Sequence, residues 1–252
     1  MIFKLLSYPR ALFNLFFMPA FTLICSLYAL YIVSFKTRKD FENLSRKWAK
    51  VICYLSGIKL HVKGKENLKK YPSMILVSNH LALLDIPVLF LALPISFRMA
   101  AKAELFKIPL FGAALRASGM LPIARGNPQA AHAVLKQTLE KFNRKESFWM
   151  APEGTRSKTG TVENFKLGAF YLAIEAKQPI VPICIYGTQF VLPKNSAFTN
   201  WGVWKQDVYV HILTPVDAEK QGIDGRYGLR DFVREAIVKE FSHLQASKTF
   251  RH

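Results

Sequence analysis

The sequence predicts an α/β fold: a largely parallel central sheet with helices on both faces, preceded by an N-terminal membrane-inserted helical segment. Three observations carry this. An uncharged apolar run fills residues 11–35. Beyond Lys50, short strand-like runs alternate with longer helix-like ones, the order that a parallel sheet with crossover helices requires. Several of the strand-like runs are continuously apolar, as expected for strands covered on both faces. No internal repeat or low-complexity stretch interrupts the pattern.

The N-terminal run reads ALFNLFFMPAFTLICSLYALYIVSF from Ala11 to Phe35. It is long enough for a bilayer crossing, which takes about 20 residues. It is too long for a cleavable signal peptide, and no small-residue cleavage site with a polar mature start follows it. Basic residues flank it, Lys4 and Arg10 before and Lys36, Arg38, Lys39, Arg46, Lys47 and Lys50 after. Two insertions are compatible with this. One is a single span with the C-terminal domain in the cytoplasm, because positive charge stays inside. The other, suggested by Asn14 and Pro19, is a bent or re-entrant insertion into one leaflet. Both bring a basic domain to an anionic cytoplasmic membrane face. The chain therefore divides into residues 1–50, a membrane-anchoring helical segment with a basic flank, and residues 51–252, an α/β domain.

Within that domain the strand candidates are Ile58–Val62, Met74–Ser78, Phe97–Ala101, Met120–Ala124, Phe148–Ala151, Ile180–Tyr186 and Val208–Leu213. Helices are expected at Leu105–Ala117, Pro128–Asn143, Lys166–Ala176 and Leu229–Gln245, where apolar residues recur at three- and four-residue spacing. In a parallel sheet, sites form in the loops after the C-terminal ends of strands.

The formal net charge of +18 over 252 residues narrows the partners to nucleic acid, an anionic membrane surface or phosphorylated substrates. Nucleic acid is disfavoured, because the aromatic residues concentrate near the apolar N-terminus rather than on a basic face. The three cysteines, Cys25, Cys53 and Cys184, have no paired spacing, which argues against a disulfide framework or a zinc site. No clustered metal ligands occur, and neither a metal nor another cofactor is expected.

Four segments carry candidate chemistry. Ser78-Asn79-His80 through Asp85 follows a strand, and a histidine there can accept a hydroxyl proton while a carboxylate fixes its tautomer. The spacing also fits a satisfied turn histidine and a plain helix cap. Lys102 and Arg125 each follow a strand candidate, so two cations can meet at one rim and hold a phosphate. In Ala151-Pro152-Glu153-Gly154-Thr155-Arg156-Ser157, Glu153 offers an acceptor for hydroxyls, Gly154 a close backbone approach, and Arg156 a fork for a phosphate dianion. Ile180-Val181-Pro182-Ile183 reads mainly as buried strand.

In this order and spacing, Asn79-His80 to Asp85, Gly119 to Arg125, Pro152 to Ser157 and Val181-Pro182-Ile183 resemble the glycerolipid acyltransferase family. Its bacterial members include 1-acyl-sn-glycerol-3-phosphate acyltransferases. The likeness covers residues 74–186. Two positions depart from the family pattern: Ala151 stands where phenylalanine is usual, and the second block reads Pro-Ile-Ala-Arg without an aspartate before Arg125.

The resemblance implies acyl transfer from a thioester, acyl-coenzyme A or acyl-carrier protein, to the free sn-2 hydroxyl of lysophosphatidic acid at a bacterial cytoplasmic membrane. His80 would be the base and Asp85 its orienting partner, with no acyl-enzyme. Arg125, Arg156 and Lys102 would hold the phosphate, and Glu153 and Thr155 would contact the glycerol end beside Gly154. The absence of a G-x-S-x-G elbow agrees with direct attack. Another glycerolipid or lysolipid acceptor, or a non-catalytic lipid-binding module, are the alternatives.

Overall fold

Seven strands form one sheet in the order β1-β7-β6-β2-β5-β3-β4, and its parallel part carries the loops of interest along one edge. The structure, a computed structural model, describes residues 2–123, 138–139, 146–219 and 225–249. The strands are β1 (Ile58–Lys63), β2 (Ile75–Ser78), β3 (Phe97–Lys102), β4 (Leu121–Ile123), β5 (Ser147–Met150), β6 (Ile180–Tyr186) and β7 (Gln206–Ile212). Each coincides with an expected strand to within two residues.

Strands β6, β2, β5, β3 and β4 pair in parallel. The β6–β7 pair is antiparallel, and β1 runs parallel to β7, so the last two strands point the opposite way. Residues alternate between two cores. In β6, Val181, Ile183 and Ile185 join one cluster with Leu76, Val88 and Leu89, whereas Ile180, Cys184 and Tyr186 join another with Phe170, Val233 and Ile237. All seven residues of β6 are buried, as its unbroken apolar run requires.

The helices are α1 (Ile2–Phe35), α2 (Arg38–Leu55), α3 (Asp85–Ala92), α4 (Phe111–Ala117), α5 (Gly168–Glu175), a short α6 (Thr188–Val191) and α7 (Arg226–Thr249). Helix α2 packs on α3 over one face of the sheet, and α7 covers β6 from the other. The expected helix at Leu105–Ala117 is divided instead. A 3-10 turn spans Ala103–Lys107, Ile108 before Pro109 is extended, and α4 starts only at Phe111. Proline disfavours the helical conformation in its predecessor and has no N–H to give, and at Ile108-Pro109 that preference prevails. The expected helix at Pro128–Asn143 lies outside the described residues, apart from residues 138 and 139, which are helical.

Helix α1 is continuous through Pro9 and Pro19. At 34 residues it is about 50 Å long, more than a hydrocarbon core of about 30 Å needs. Thr37 then opens α2 with a capping box: its side chain accepts the Asp40 N–H, and the Asp40 carboxylate accepts the Thr37 N–H. Residues 36–50, expected as a basic flank, are mostly this amphipathic helix, which runs past residue 50 to Leu55. Two of its arginines are spent on the fold. Arg46 donates to the carbonyls of Phe90 and Ile95, and Arg38 pairs with Glu146 at 2.6 Å and donates to Ser96.

Candidate active site

The C-terminal ends of β2, β5 and β3 lie side by side, with Val77 beside Met150 and Met99 beside Trp149. His80 sits two residues past the end of β2, on a turn braced from both sides. On one side, the Asn79 side chain behaves as an extra peptide group: its Nδ2 donates to the Ile185 carbonyl and its Oδ1 accepts the Ile185 N–H, both at 2.8 Å. Asn79 is fully buried, and this clamp ties the histidine turn to β6. On the other side, the His80 N–H donates to Glu153 Oε1 at 3.3 Å, and the His80 carbonyl accepts the Ser157 N–H at 2.7 Å. The first and third motifs thus form one interlocked unit.

Asp85 is the first residue of α3 and is wholly buried. Its side chain makes no bond to the N–H groups of its own helix. It turns back instead, and Oδ2 accepts from His80 Nδ1 at 2.7 Å, Leu81 N at 2.7 Å and Ala82 N at 3.0 Å. The plain helix-cap reading therefore gives way to a histidine–carboxylate pair. Because this oxygen already accepts two backbone N–H groups, Nδ1 carries the imidazole proton. Nε2, facing away from the carboxylate, keeps its lone pair. The His80 side chain retains 12% exposure.

Behind the ring, Trp149 meets His80 edge-on at 6.0 Å and donates its indole N–H to Ser78 Oγ at 3.0 Å. Asp85 Oδ1 accepts the hydroxyl of Thr188, at the start of α6.

The loop after β5 holds Glu153, Gly154, Thr155 and Arg156. Gly154 has φ 73°, a left-handed conformation suited to glycine, and a Cβ there would come within 3.0 Å of Lys166 Nζ. Lys166 therefore lays its ammonium over the loop, and its own N–H holds the Pro152 carbonyl at 2.9 Å. Lys194 reaches across to the Arg156 carbonyl. Glu153 is 5% exposed, and its Oε2 has no hydrogen-bond partner among the described residues. Burial pushes its carboxyl up to about 8, against a weaker downward pull from the His80 N–H. Lys102 ends β3 and pairs with Glu104 at 3.4 Å, half exposed. Arg125 lies outside the described residues. Burial also pushes up the thiols of Cys53, to about 12, and Cys184, which leaves both protonated.

The site thus joins a histidine held at Nδ1 by a buried carboxylate to a neighbouring loop that carries Arg156 and lies under the Lys166 ammonium. Residues 59–186 match the family model described as Acyltransferase. The chain belongs to the acyltransferase family. The matched residues include β2, the His80–Asp85 turn, the loop after β5 and β6. The chain is 34% identical over 188 residues to the chloroplastic 1-acyl-sn-glycerol-3-phosphate acyltransferase of Arabidopsis thaliana, covering 74% of this chain and 51% of that protein. It thus spans about half the length of the plant relative. It is 30% identical over 236 residues to the human 1-acyl-sn-glycerol-3-phosphate acyltransferase alpha, covering 92% and 81%. The crystal structure of the 1-acyl-sn-glycerophosphate acyltransferase PlsC from Thermotoga maritima superposes with a TM-score of 0.74 at 26% identity, covering 97% of this chain and 95% of that one.

Three residues that touch the site carry no functional signal in the sequence. Thr188 follows β6 without any motif around it, Lys194 lies in an irregular loop, and Lys166 read only as the start of a helix. The PEGTRS run itself signalled a loop, but not which distant ammonium groups would settle on it.

Proposed function

We propose that the chain transfers a fatty acyl group from an acyl thioester to the sn-2 hydroxyl of 1-acyl-sn-glycerol-3-phosphate, giving phosphatidic acid. The observation that carries this reading is the His80 Nδ1 contact with the buried Asp85 at 2.7 Å, on the edge that also bears the Arg156 loop. The names of the relatives indicate the acceptor class.

In this reading, His80 Nε2 takes the proton of the acceptor hydroxyl as its oxygen attacks the thioester carbonyl. The C–S bond then breaks, and the departing thiolate takes the proton from the imidazolium to leave as a thiol. Asp85 holds the imidazolium while it exists. The ester is formed directly, without an acyl-enzyme, because a thioester is activated enough for attack by an oriented hydroxyl. Arg156 and Lys102, with Arg125, hold the substrate phosphate, and Glu153 and Thr155 contact the glycerol end. Acyl-coenzyme A and acyl-carrier protein both fit the basic chain as acidic donors. Residues 1–50 anchor the enzyme, and residues 51–252 form the catalytic domain on the cytoplasmic face of a bacterial membrane. The bulky outward side chains of α1 support that anchor.

General-base catalysis contributes about 100- to 10,000-fold, so His80→Ala should lower kcat by that factor. Arg156→Ala should mainly raise KM for the phosphorylated acceptor, by about 10-fold or more for one lost charge-assisted contact. The test is transfer of labelled acyl groups from acyl-coenzyme A, and separately from acyl-carrier protein, to lysophosphatidic acid in membranes. Turnover by His80→Ala at the wild-type rate would overturn the base assignment. Wild-type protein inactive with both donors would overturn the choice of acceptor.

A further inference from the structure

We propose that Thr188 is a positioning residue for this reaction: its hydroxyl, delivered from the end of β6, holds the second oxygen of Asp85 and so fixes the carboxylate plane that orients His80. The proposal rests on the general-base reading of His80. It concerns a residue outside the four motifs and two positions past the end of the family match at residue 186.

The two oxygens of Asp85 are served unequally. Oδ2 has three donors, His80 Nδ1, Leu81 N and Ala82 N. Oδ1 has one among the described residues, Thr188 Oγ1 at 2.5 Å. Both residues are 0% exposed. Turning the carboxylate about its Cβ–Cγ bond moves both oxygens, so its plane is set by the donors on both. Three share the task at Oδ2, and at Oδ1 Thr188 is the one donor among the described residues. The lone pair that His80 Nδ1–H meets then points in one direction.

The backbone around Thr188 is built to make this contact. Gly187 turns the chain from β6 into α6 with φ 107°, and a Cβ there would lie 2.5 Å from the Asp207 carbonyl oxygen, so only glycine fits. The Gly187 N–H is held by Gln189 Oε1 at 2.8 Å. Three residues before Thr188, both peptide groups of Ile185 are clamped by Asn79, the neighbour of His80. Asn79 and Thr188 thus brace the two ends of one connection between the catalytic turn and β6. Asn79 sets where the turn sits, and Thr188 sets how its carboxylate lies.

The bland reading is that Thr188 merely satisfies a buried oxygen. Kinetics separate the two. Thr188→Val, nearly the same in shape but without the hydroxyl, should lower kcat about 10- to 100-fold with KM for lysophosphatidic acid unchanged. The acid limb of its kcat/KM profile should move to higher pH. A carboxylate stripped of one donor pulls harder on the Nδ1 proton, so the imidazolium forms more readily. Thr188→Ser, which keeps the hydroxyl, should restore both the rate and the limb. If Thr188→Val does not fold, Thr188→Ala carries the same expectation without crowding the site. Wild-type kcat in Thr188→Val, or Val and Ser variants equally slow with the acid limb in place, would overturn the proposal. His80→Ala run in parallel separates the two claims. If it retains turnover, the general-base reading fails first; if it is inactive while Thr188→Val is normal, only the role of Thr188 fails.

Discussion

Helices α1 and α7 are the two longest among the described residues, and they obey opposite rules. In α7, Leu229, Val233, Ile237, Phe241 and Leu244 form a buried stripe at helical spacing, while Asp231, Glu235 and Lys239 face out. In α1 the buried stripe is Ser7, Ala11, Asn14, Ser26, Ala29 and Ile32, mostly small or polar. Its outward face carries Phe16 at 70%, Ile24 at 66% and Leu27 at 58% exposure. The inner hydroxyls are satisfied within the helix, Ser26 by the Thr22 carbonyl and Thr22 by that of Met18, both at 2.7 Å. Arg10 fixes the N-terminal third to the domain, donating to the carbonyls of Val203 and Trp204 with its guanidinium 4.4 Å from the Trp204 ring. Helix α7 is built for water on its outer side. Helix α1 has the reverse pattern, the one that suits a candidate membrane helix, with small inner residues that allow close packing and bulky apolar ones outward.

One substitution placed on both helices tests this most severely. Ile237→Lys puts an ammonium at a position with no exposure, and should unfold the domain, at a cost above about 4 kcal/mol. Ile24→Lys, at a position 66% exposed, should leave the unfolding temperature in detergent unchanged. It should instead weaken partition into phospholipid vesicles by about 100-fold, since lysine within hydrocarbon costs about 3 kcal/mol. Equal loss of unfolding temperature in the two variants would show that α1 is an ordinary core helix.

The same contrast explains what was legible in the sequence. The seven strands among the described residues were readable because each is a short run rich in apolar residues, alternating with polar ones in β1 and unbroken in β6, which is covered on both faces. Helix α7 was readable because its stripe has the water-soluble sense. Helix α2 was missed because seven charged residues between Arg38 and Lys50 hide the stripe of Phe41, Leu44, Trp48, Ile52 and Leu55. The reversal at β6–β7 left no mark either, since strand direction depends on how connections close rather than on composition. At the site, His80, Asp85 and Glu153 were legible through their motifs. Their geometry was not: that Asp85 turns away from its own helix, and that Glu153 holds the His80 N–H, depend on contacts between residues far apart in sequence.

A smaller effect probes the inner face of α1. Asn14 Nδ2 donates to the Leu55 carbonyl at 2.8 Å and to Thr199 Oγ1 at 3.0 Å, tying the apolar helix to α2 and to the loop before β7. Asn14→Leu makes α1 more apolar, yet it should destabilise the protein by about 1–3 kcal/mol, because it strands a buried carbonyl. Vesicle binding should be unchanged. An increase in unfolding temperature would mean that the inner stripe serves lipid as well, and the two-faced description of α1 would fail.

The last expected effect is a slope rather than a single loss, small per pH unit, and it concerns a buried polar group on the water-built side. Asn14 meets its neighbours as a neutral amide, whereas Glu153 carries an ionisable carboxyl, 5% exposed, whose Oε2 has no hydrogen-bond partner among the described residues. Its carboxyl is raised to about 8, chiefly by burial, so the folded protein keeps a proton there that the unfolded chain releases near 4.5. The fold therefore binds more protons than the unfolded chain between these two values. The associated stability is fully present below about pH 4.5 and is lost as pH rises through about 8, with a slope of at most about 1.4 kcal/mol per pH unit. Glu153→Gln, neutral at every pH, should remove that contribution. Chemical denaturation from pH 5 to pH 9 measures it: the gap between variant and wild type should widen with pH in favour of Gln. A constant gap would mean that Glu153 is ionised in the fold. The His80 N–H would then be holding a carboxylate in place.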